Sequence, residues 1–274
     1  MAQIETRDGT KLYVKKWGEG RPVIMMHGWP LSADSFDDQA MAIADAGMCA
    51  IAYDRRGFGR SDQPWSGYEY DTLSDDLADV MKASGAEDST LVGFSMGGGE
   101  VARYMSRHKG KRVKQAVLVS SIVPYMLKTA DNPNGTPQST FDEMTKAMKA
   151  DRAHYFKSFF ESFYGQGLFE NAVSEEVLQW SQNVSMMAGL KPTLACAGAF
   201  SSTDFRPDLA AFGVPTLIIH GTADKTVPID AAGRAAAAGI KQSKLLEYEG
   251  APHGLFATHK DRFTKDLLAF LKSS

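Results

Sequence analysis

Little in this chain is extreme, and each shortage excludes a class of protein. Its 274 residues include two cysteines, Cys49 in an apolar strand-like run and Cys196 in a small-residue helix-like run. Neither stands in a CxxC or cysteine–histidine spacing, so no disulfide framework and no metal site is expected, and both read as buried free thiols of a reducing compartment. No stretch approaches the ~18 consecutive apolar residues of a membrane span. The amino terminus, MAQIETRDGTKLYVKKW, carries charges where a signal peptide needs an apolar centre. A cytoplasmic protein without membrane contact is the expectation. A formal net charge of -3 supplies no field to attract nucleic acid. With 43% hydrophobic and 23% charged residues, the chain has the composition of a folded globular protein and not of a disordered one.

What is present is a regular grammar. The opening IETRDGTKLYVKKW alternates about Asp8-Gly9 and predicts an antiparallel hairpin. Short, nearly continuous apolar runs follow: PVIMMHG at 22–28, MCAIAYD at 48–54, STLVGF at 89–94 and VKQAVLVS at 113–120. Helix-spaced segments separate them at 35–47, 70–85 and 101–110, two of them closed by Gly47 and Gly85. Strands without alternation imply burial on both faces, and their exchange with helices implies a mostly parallel, doubly wound α/β sheet. From Val123 to about Phe212 the chain turns helical and aromatic, with TADNPNGTPQST at 129–140 reading as an exposed, mobile loop. The strand grammar then returns with TLIIHG at 216–221 and SKLLEYEG at 243–250, each followed or preceded by a helical run. The expected organisation is an α/β core over 1–122 and 213–274, interrupted by a helical lid over 123–212. Tandem domains are disfavoured because two last strands alone lack sheet partners.

The chemistry centres on VGFSMGGGEVARY. A G-x-S-x-G pattern is weak alone, but here a strand precedes Ser95 and a helix follows it, the setting of a nucleophile elbow. The bland reading is a glycine-rich turn with an incidental serine. A serine hydroxyl needs a base, and six histidines are available. His108, His154 and His259 sit among polar residues and read as solvated, while His27 and His220, in strand-end His-Gly pairs, read as structural. His253, in EGAPHGLF, lies after the last strand, at the carboxyl edge where open α/β sheets place ligands. Asp224, after TLIIHG, lies at the same edge and supplies the carboxylate a catalytic histidine needs. Asp204 competes but precedes its strand. The chain order Ser95, Asp224, His253 is that of α/β-hydrolases. The amide of Met96 and an amide of the loop after PVIMMHG form the expected oxyanion hole; Pro30 has no amide hydrogen, which leaves Trp29.

With these residues assembled, the chain resembles the α/β-hydrolase superfamily and, within it, the cofactor-free haloperoxidase and aryl-esterase group. HGWP, YDRRGFGRSD, GFSMGGGEVARY, FRPDL, PTLIIHGTADKTVP and APHG carry the likeness along essentially the whole length. The resemblance implies an α/β-hydrolase fold, a triad of Ser95, Asp224 and His253, oxyanion amides at Trp29 and Met96, and hydrolysis of small or aryl carboxylic esters through an acyl-enzyme. It implies no metal and no cofactor. It also implies a second reaction, in which a carboxylic acid and hydrogen peroxide yield a peracid that oxidises halide in solution. Lactone, lactam or carbon–carbon bond hydrolysis on the same triad are alternatives, as is a ligand-binding or signalling protein on the same fold. Dehalogenases and epoxide hydrolases resemble members with aspartate where this chain has Ser95. Pro30 resembles members with prominent perhydrolysis, and its fixed φ would set the Trp29 carbonyl as an acceptor for peroxide. Met96 departs from the small hydroxyl residue common in the group. The resemblance further points to Val123, Tyr125, Met144, Phe159, Phe163, Thr226 and Val227 as pocket residues and to a homo-oligomer; the competing reading makes the aromatics of 156–164 lid core.

Overall fold

The computed structural model describes residues 3–167 and 172–273. Asp8-Gly9 turns the chain between β1 (Gln3–Glu5) and β2 (Lys11–Trp17), which pair antiparallel, and Gly9 supplies the positive φ of 86° that the turn requires. The apolar runs become β3 (Pro22–Met26), β4 (Cys49–Tyr53), β5 (Ser89–Phe94), β6 (Val113–Val119), β7 (Thr216–Gly221) and β8 (Ser243–Tyr248). They form one sheet in the order β1-β2-β4-β3-β5-β6-β7-β8. β2 joins β4 antiparallel, and every pairing from β4 to β8 is parallel. β4, β5 and β7 are buried at every position, as continuous apolar runs predict; β8, at the edge, is half-exposed.

Between strands lie α1 (Asp37–Asp45), α2 (Tyr70–Ala83) and α3 (Met96–Arg107). Between the neighbouring strands β6 and β7 the described chain is helical, with α4 (Gln138–Phe163), α5 (Glu175–Met187) and α6 (Leu190–Ser202), followed by a 3-10 turn at Arg206–Ala211. Asp151 leaves helical geometry (φ -156°, ψ 91°) and divides α4 into two arms; its carboxylate accepts the His154 amide at 3.0 Å and so caps the second arm. The short α7 (Gly233–Gly239), α8 (Leu255–Thr258) and the amphipathic α9 (Lys260–Leu271) complete the chain. Among the described residues, no helix is long and apolar enough to cross a membrane.

This topology positions the site. β3 has β4 on one side and β5 on the other, so the chain leaves β3 at the switch point of the sheet, where a crevice opens beyond the carboxyl ends of the strands. Met26 of β3 pairs with Gly93 of β5, which brings the loop after β3 alongside the turn after β5. The segment 129–140 is exposed along most of its length but tied down by bridges Leu127–Thr136 and Thr129–Asn132 and by the Asn132 side chain, whose amide donates to the Tyr125 and Leu127 carbonyls.

Candidate active site

Ser95 stands between the end of β5 and the first residue of α3 with φ 53° and ψ -118°. A side-chain-bearing residue in this left-handed region is strained, and the strain is held by what surrounds it. The Ser95 amide donates to Val119 at 2.9 Å, and its carbonyl accepts from Gly98 at 3.0 Å. α3 presses so close to the sheet that a Cβ at Gly97 would lie 2.2 Å from the Met26 carbonyl oxygen, and one at Gly98 would lie 1.9 Å from Ser121 Oγ. Glycine is therefore required by approach, and the helix starts at Met96, directly after Ser95, as the strand-turn-helix reading expects.

His253, in the loop after β8, points its Nε2 at Ser95 Oγ across 3.0 Å, and its Nδ1 lies 2.7 Å from Asp224 Oδ2. In the neutral ring Nδ1–H donates to Asp224, leaving Nε2 to accept the Ser95 hydroxyl proton. The imidazole is wedged between aromatics, 5.1 Å from the Phe94 ring and 4.9 Å, edge to face, from Phe163. Phe163 also accepts the Gly254 amide at its carbonyl, 2.8 Å, and so anchors the histidine loop.

Asp224, in the loop after β7, spends Oδ1 on the amides of Thr226 (2.9 Å) and Val227 (2.8 Å), which leaves Oδ2 for His253. Burial would push this carboxyl upward, but His253 and His220 beside it outweigh burial and hold it at about 2. His220 is wholly buried, with its Nε2 donating to the Val227 carbonyl at 2.9 Å and lying 3.4 Å from Asp224 Oδ2. Asp204, the competing acid, is paired with Arg206 at 2.6 Å and bonds no histidine among the described residues. His27 is fully buried, and its role is taken up below. His154 is exposed and His259 half-buried. His108 departs from the expectation of a solvated group: it stacks on Tyr104 at 4.8 Å and bonds Asp75 at 2.8 Å.

Neither the Trp29 nor the Met96 amide has a hydrogen-bond acceptor among the described residues. Both amides flank Ser95, one on the loop after β3 and one opening α3. Trp29 itself is fixed from above: its indole Nε1 donates to the Thr193 carbonyl of α6 at 3.1 Å, and its ring meets Phe156, Phe159 and Phe200 edge to face at 5.5–5.6 Å. The Met96 side chain is buried and does not reach the cavity wall.

Above Ser95 opens a cavity of about 410 Å³. Met144, Phe159, Thr226 and Val227 line it together with Trp29. Three expected residues do not. Val123 is buried beneath the wall, Tyr125 turns outward beneath the Arg206 guanidinium (4.9 Å), and Phe163 packs on His253. Their places are taken by Ile122, Met126, Phe141, Tyr155 and Phe200, while Thr136, Thr140, Glu143 and Lys225 add polar groups to the wall. Of the aromatics at 156–164, Phe156, Phe160 and Phe163 are core and Phe159 faces the cavity, so the two competing readings divide the stretch between them. Helical phase separates Phe159 from Phe160, and position along the helix separates it from Phe163.

Comparison with known proteins agrees with this architecture. Residues 21–260 match a family described as alpha/beta hydrolase fold. The chain is 42% identical to the non-heme chloroperoxidase CPO-A1 of Kitasatospora aureofaciens over 97% of this chain and 98% of that one. It is 40% identical to the bifunctional esterase/perhydrolase DCH of Acinetobacter calcoaceticus over the full length of both. Among solved structures, the bromoperoxidase of Bacillus anthracis is 41% identical and superposes with a TM-score of 0.95 over 99% of each chain. A mostly parallel sheet with an antiparallel start, a serine on a strained strand-to-helix turn and full-length likeness at this level lead to one assignment: the chain belongs to the alpha/beta-hydrolase-fold family.

Proposed function

We propose that the protein is a serine carboxylic-ester hydrolase for small or aryl esters, with Ser95 as nucleophile, His253 as base and acid, and Asp224 as the carboxylate that orients the histidine. The observation that carries this reading is the unbroken relay from Asp224 Oδ2 through His253 to Ser95 Oγ at the floor of an apolar cavity. In this reading His253 Nε2 takes the hydroxyl proton as Ser95 Oγ attacks the ester carbonyl. The tetrahedral oxyanion is received by the Trp29 and Met96 amides, which have no other acceptor among the described residues. His253 then protonates the leaving alkoxide, and the acyl-enzyme remains. Water activated by the same histidine releases the acid.

Hydrogen peroxide in place of that water yields a peracid, and the free peracid oxidises halide in solution without a cofactor. The names of relatives, chloroperoxidase for one and esterase/perhydrolase for another, support this second outcome. Residues 123–212 act in this proposal as a lid that encloses the acyl group over a core of 1–122 and 213–274. Residence in the cytoplasm and assembly into a homo-oligomer belong to the same proposal.

The test is to supply p-nitrophenyl acetate in one reaction and acetate, hydrogen peroxide and bromide in another. Release of p-nitrophenol together with acetate- and peroxide-dependent bromination supports the reading. Bromination that proceeds equally without the carboxylic acid, or absence of ester turnover by folded protein, overturns it.

A further inference from the structure

Behind the two free amides lies a buried ion pair that the acyl-transfer steps do not use. Arg55, in the loop after β4, is 1% exposed, and Glu100, on α3, is 0% exposed. Arg55 Nε donates to Glu100 Oε1 at 2.6 Å, and its Nη2 also contacts that oxygen. The same Nη2 donates to the His27 carbonyl at 2.6 Å. The Arg55 amide donates to His27 Nε2 at 3.0 Å, so the ring carries its proton on Nδ1, which donates to the Gly28 carbonyl at 3.0 Å. Burial first, and then the Arg55 charge, push the His27 pKa well below its ordinary value, which keeps that tautomer neutral. Tyr53 O–H donates to the second Glu100 oxygen at 2.6 Å.

These bonds join three segments: the His27-Gly28 pair immediately before Trp29, the end of β4, and α3 one turn after Met96. Stability alone is a weak reason for such a group, because apolar residues often replace a buried ion pair at no loss. Arg56 supplies the contrast. It is equally buried, but its guanidinium pairs with Asp76 on α2 at 2.6 Å and with Asp8 in the hairpin turn at 2.8 Å, away from both amides.

We propose that Arg55 is a positioning residue: anchored on Glu100 of α3 and gripping the His27 carbonyl, it sets the spacing between the Trp29 and Met96 amides. The proposal rests on the reading of those amides as the oxyanion hole. A planar guanidinium is required because one group must serve a carboxylate and a carbonyl in fixed directions, which an ammonium does not do.

The experiment compares Arg55→Lys and the triple variant Tyr53→Phe/Arg55→Met/Glu100→Leu, which leaves no buried charge or hydroxyl without a partner, with the control pair Arg56→Met/Asp76→Leu. The readouts are Tm, kcat and KM for p-nitrophenyl acetate, and the affinity of phenylboronic acid, whose tetrahedral adduct on Ser95 puts an oxygen at the amides. The Arg55 variants are expected to lose roughly 10- to 100-fold in kcat with KM little changed. Their boronate affinity falls by a similar factor, while the control pair changes Tm and keeps both kcat and boronate affinity. Wild-type kcat and boronate affinity in the Arg55 variants, or equal losses in the control pair for the same fall in Tm, would overturn the proposal alone. Absence of ester turnover in the unaltered enzyme would overturn the oxyanion reading and the proposal with it.

Discussion

His253 Nε2 stands 3.0 Å from Ser95 Oγ although 158 residues separate the two in sequence. The sheet makes the contact: Ser95 follows β5, His253 follows β8, and Asp224 follows β7, one of the two strands that lie between them. Loops at the carboxyl edge converge, so three side chains from distant segments meet where the strand order reverses.

Asp224→Asn retains the shape but lets His253 adopt the wrong tautomer, and kcat is expected to fall by roughly 10⁴. The same variant carries a pH signature. The Asp224 carboxyl lies at about 2, below its ordinary 3.8. A depressed carboxyl stabilises the fold above its unfolded value, and that contribution is lost as pH falls through the folded value. The carboxylate therefore contributes on the order of 2 kcal/mol at neutral pH, lost between about pH 4 and 2. Melting curves of both proteins from pH 5 downward test this: the Tm gap narrows on acidification, and a constant gap contradicts the assignment.

The elbow makes a prediction that separates approach from propensity. Gly97→Ala forces a methyl against the Met26 carbonyl oxygen and should cost ~1–3 kcal/mol, with a loss of kcat as the start of α3 moves. Gly198 lies inside α6 with nothing among the described residues within 4 Å of its missing Cβ, so Gly198→Ala should gain ~0.5–1 kcal/mol without touching kcat. Urea denaturation of both variants checks the opposite signs.

Pocket size gives a further expectation. Each methylene buried in the apolar cavity contributes ~0.8 kcal/mol, so kcat/KM should rise about fourfold per carbon from acetate to butyrate esters. Met144→Trp narrows the cavity and should lower kcat/KM for butyrate more than for acetate. Equal losses for the two esters would remove Met144 from the acyl pocket.

Segments differ in how much of their order is written in the local sequence. The buried strands were legible because continuous apolar runs between helix-spaced segments admit few other arrangements, and the segments bearing Ser95, Asp224 and His253 were legible because each follows such a run. The helix after Ser95 was legible from the strand-turn-helix pattern, whereas the packing against Met26 and Ser121 that demands glycine at 97 and 98 and overrides its poor helix propensity was not. The cavity wall was least legible. Residues 120–127 follow no regular period, so choosing Val123 and Tyr125 missed the inward-facing Ile122 and Met126 by one position each. In α4, Phe159 and Phe163 stand one turn apart on the arm after Asp151 and share a face, so position along the helix separates them: Phe159 reaches Trp29 and the cavity, and Phe163 packs on His253. His108 shows the same limit on the surface, because its partner Asp75 comes from α2 and no local pattern announces it.

The most direct test of the central claim is steady-state hydrolysis of p-nitrophenyl acetate by the unaltered protein beside Ser95→Ala at neutral pH, with melting curves to establish that both are folded. Sustained turnover that falls by roughly 10³ or more in the variant is the result expected if Ser95 carries the acyl group. Equal turnover by both proteins, or none by either, would contradict it.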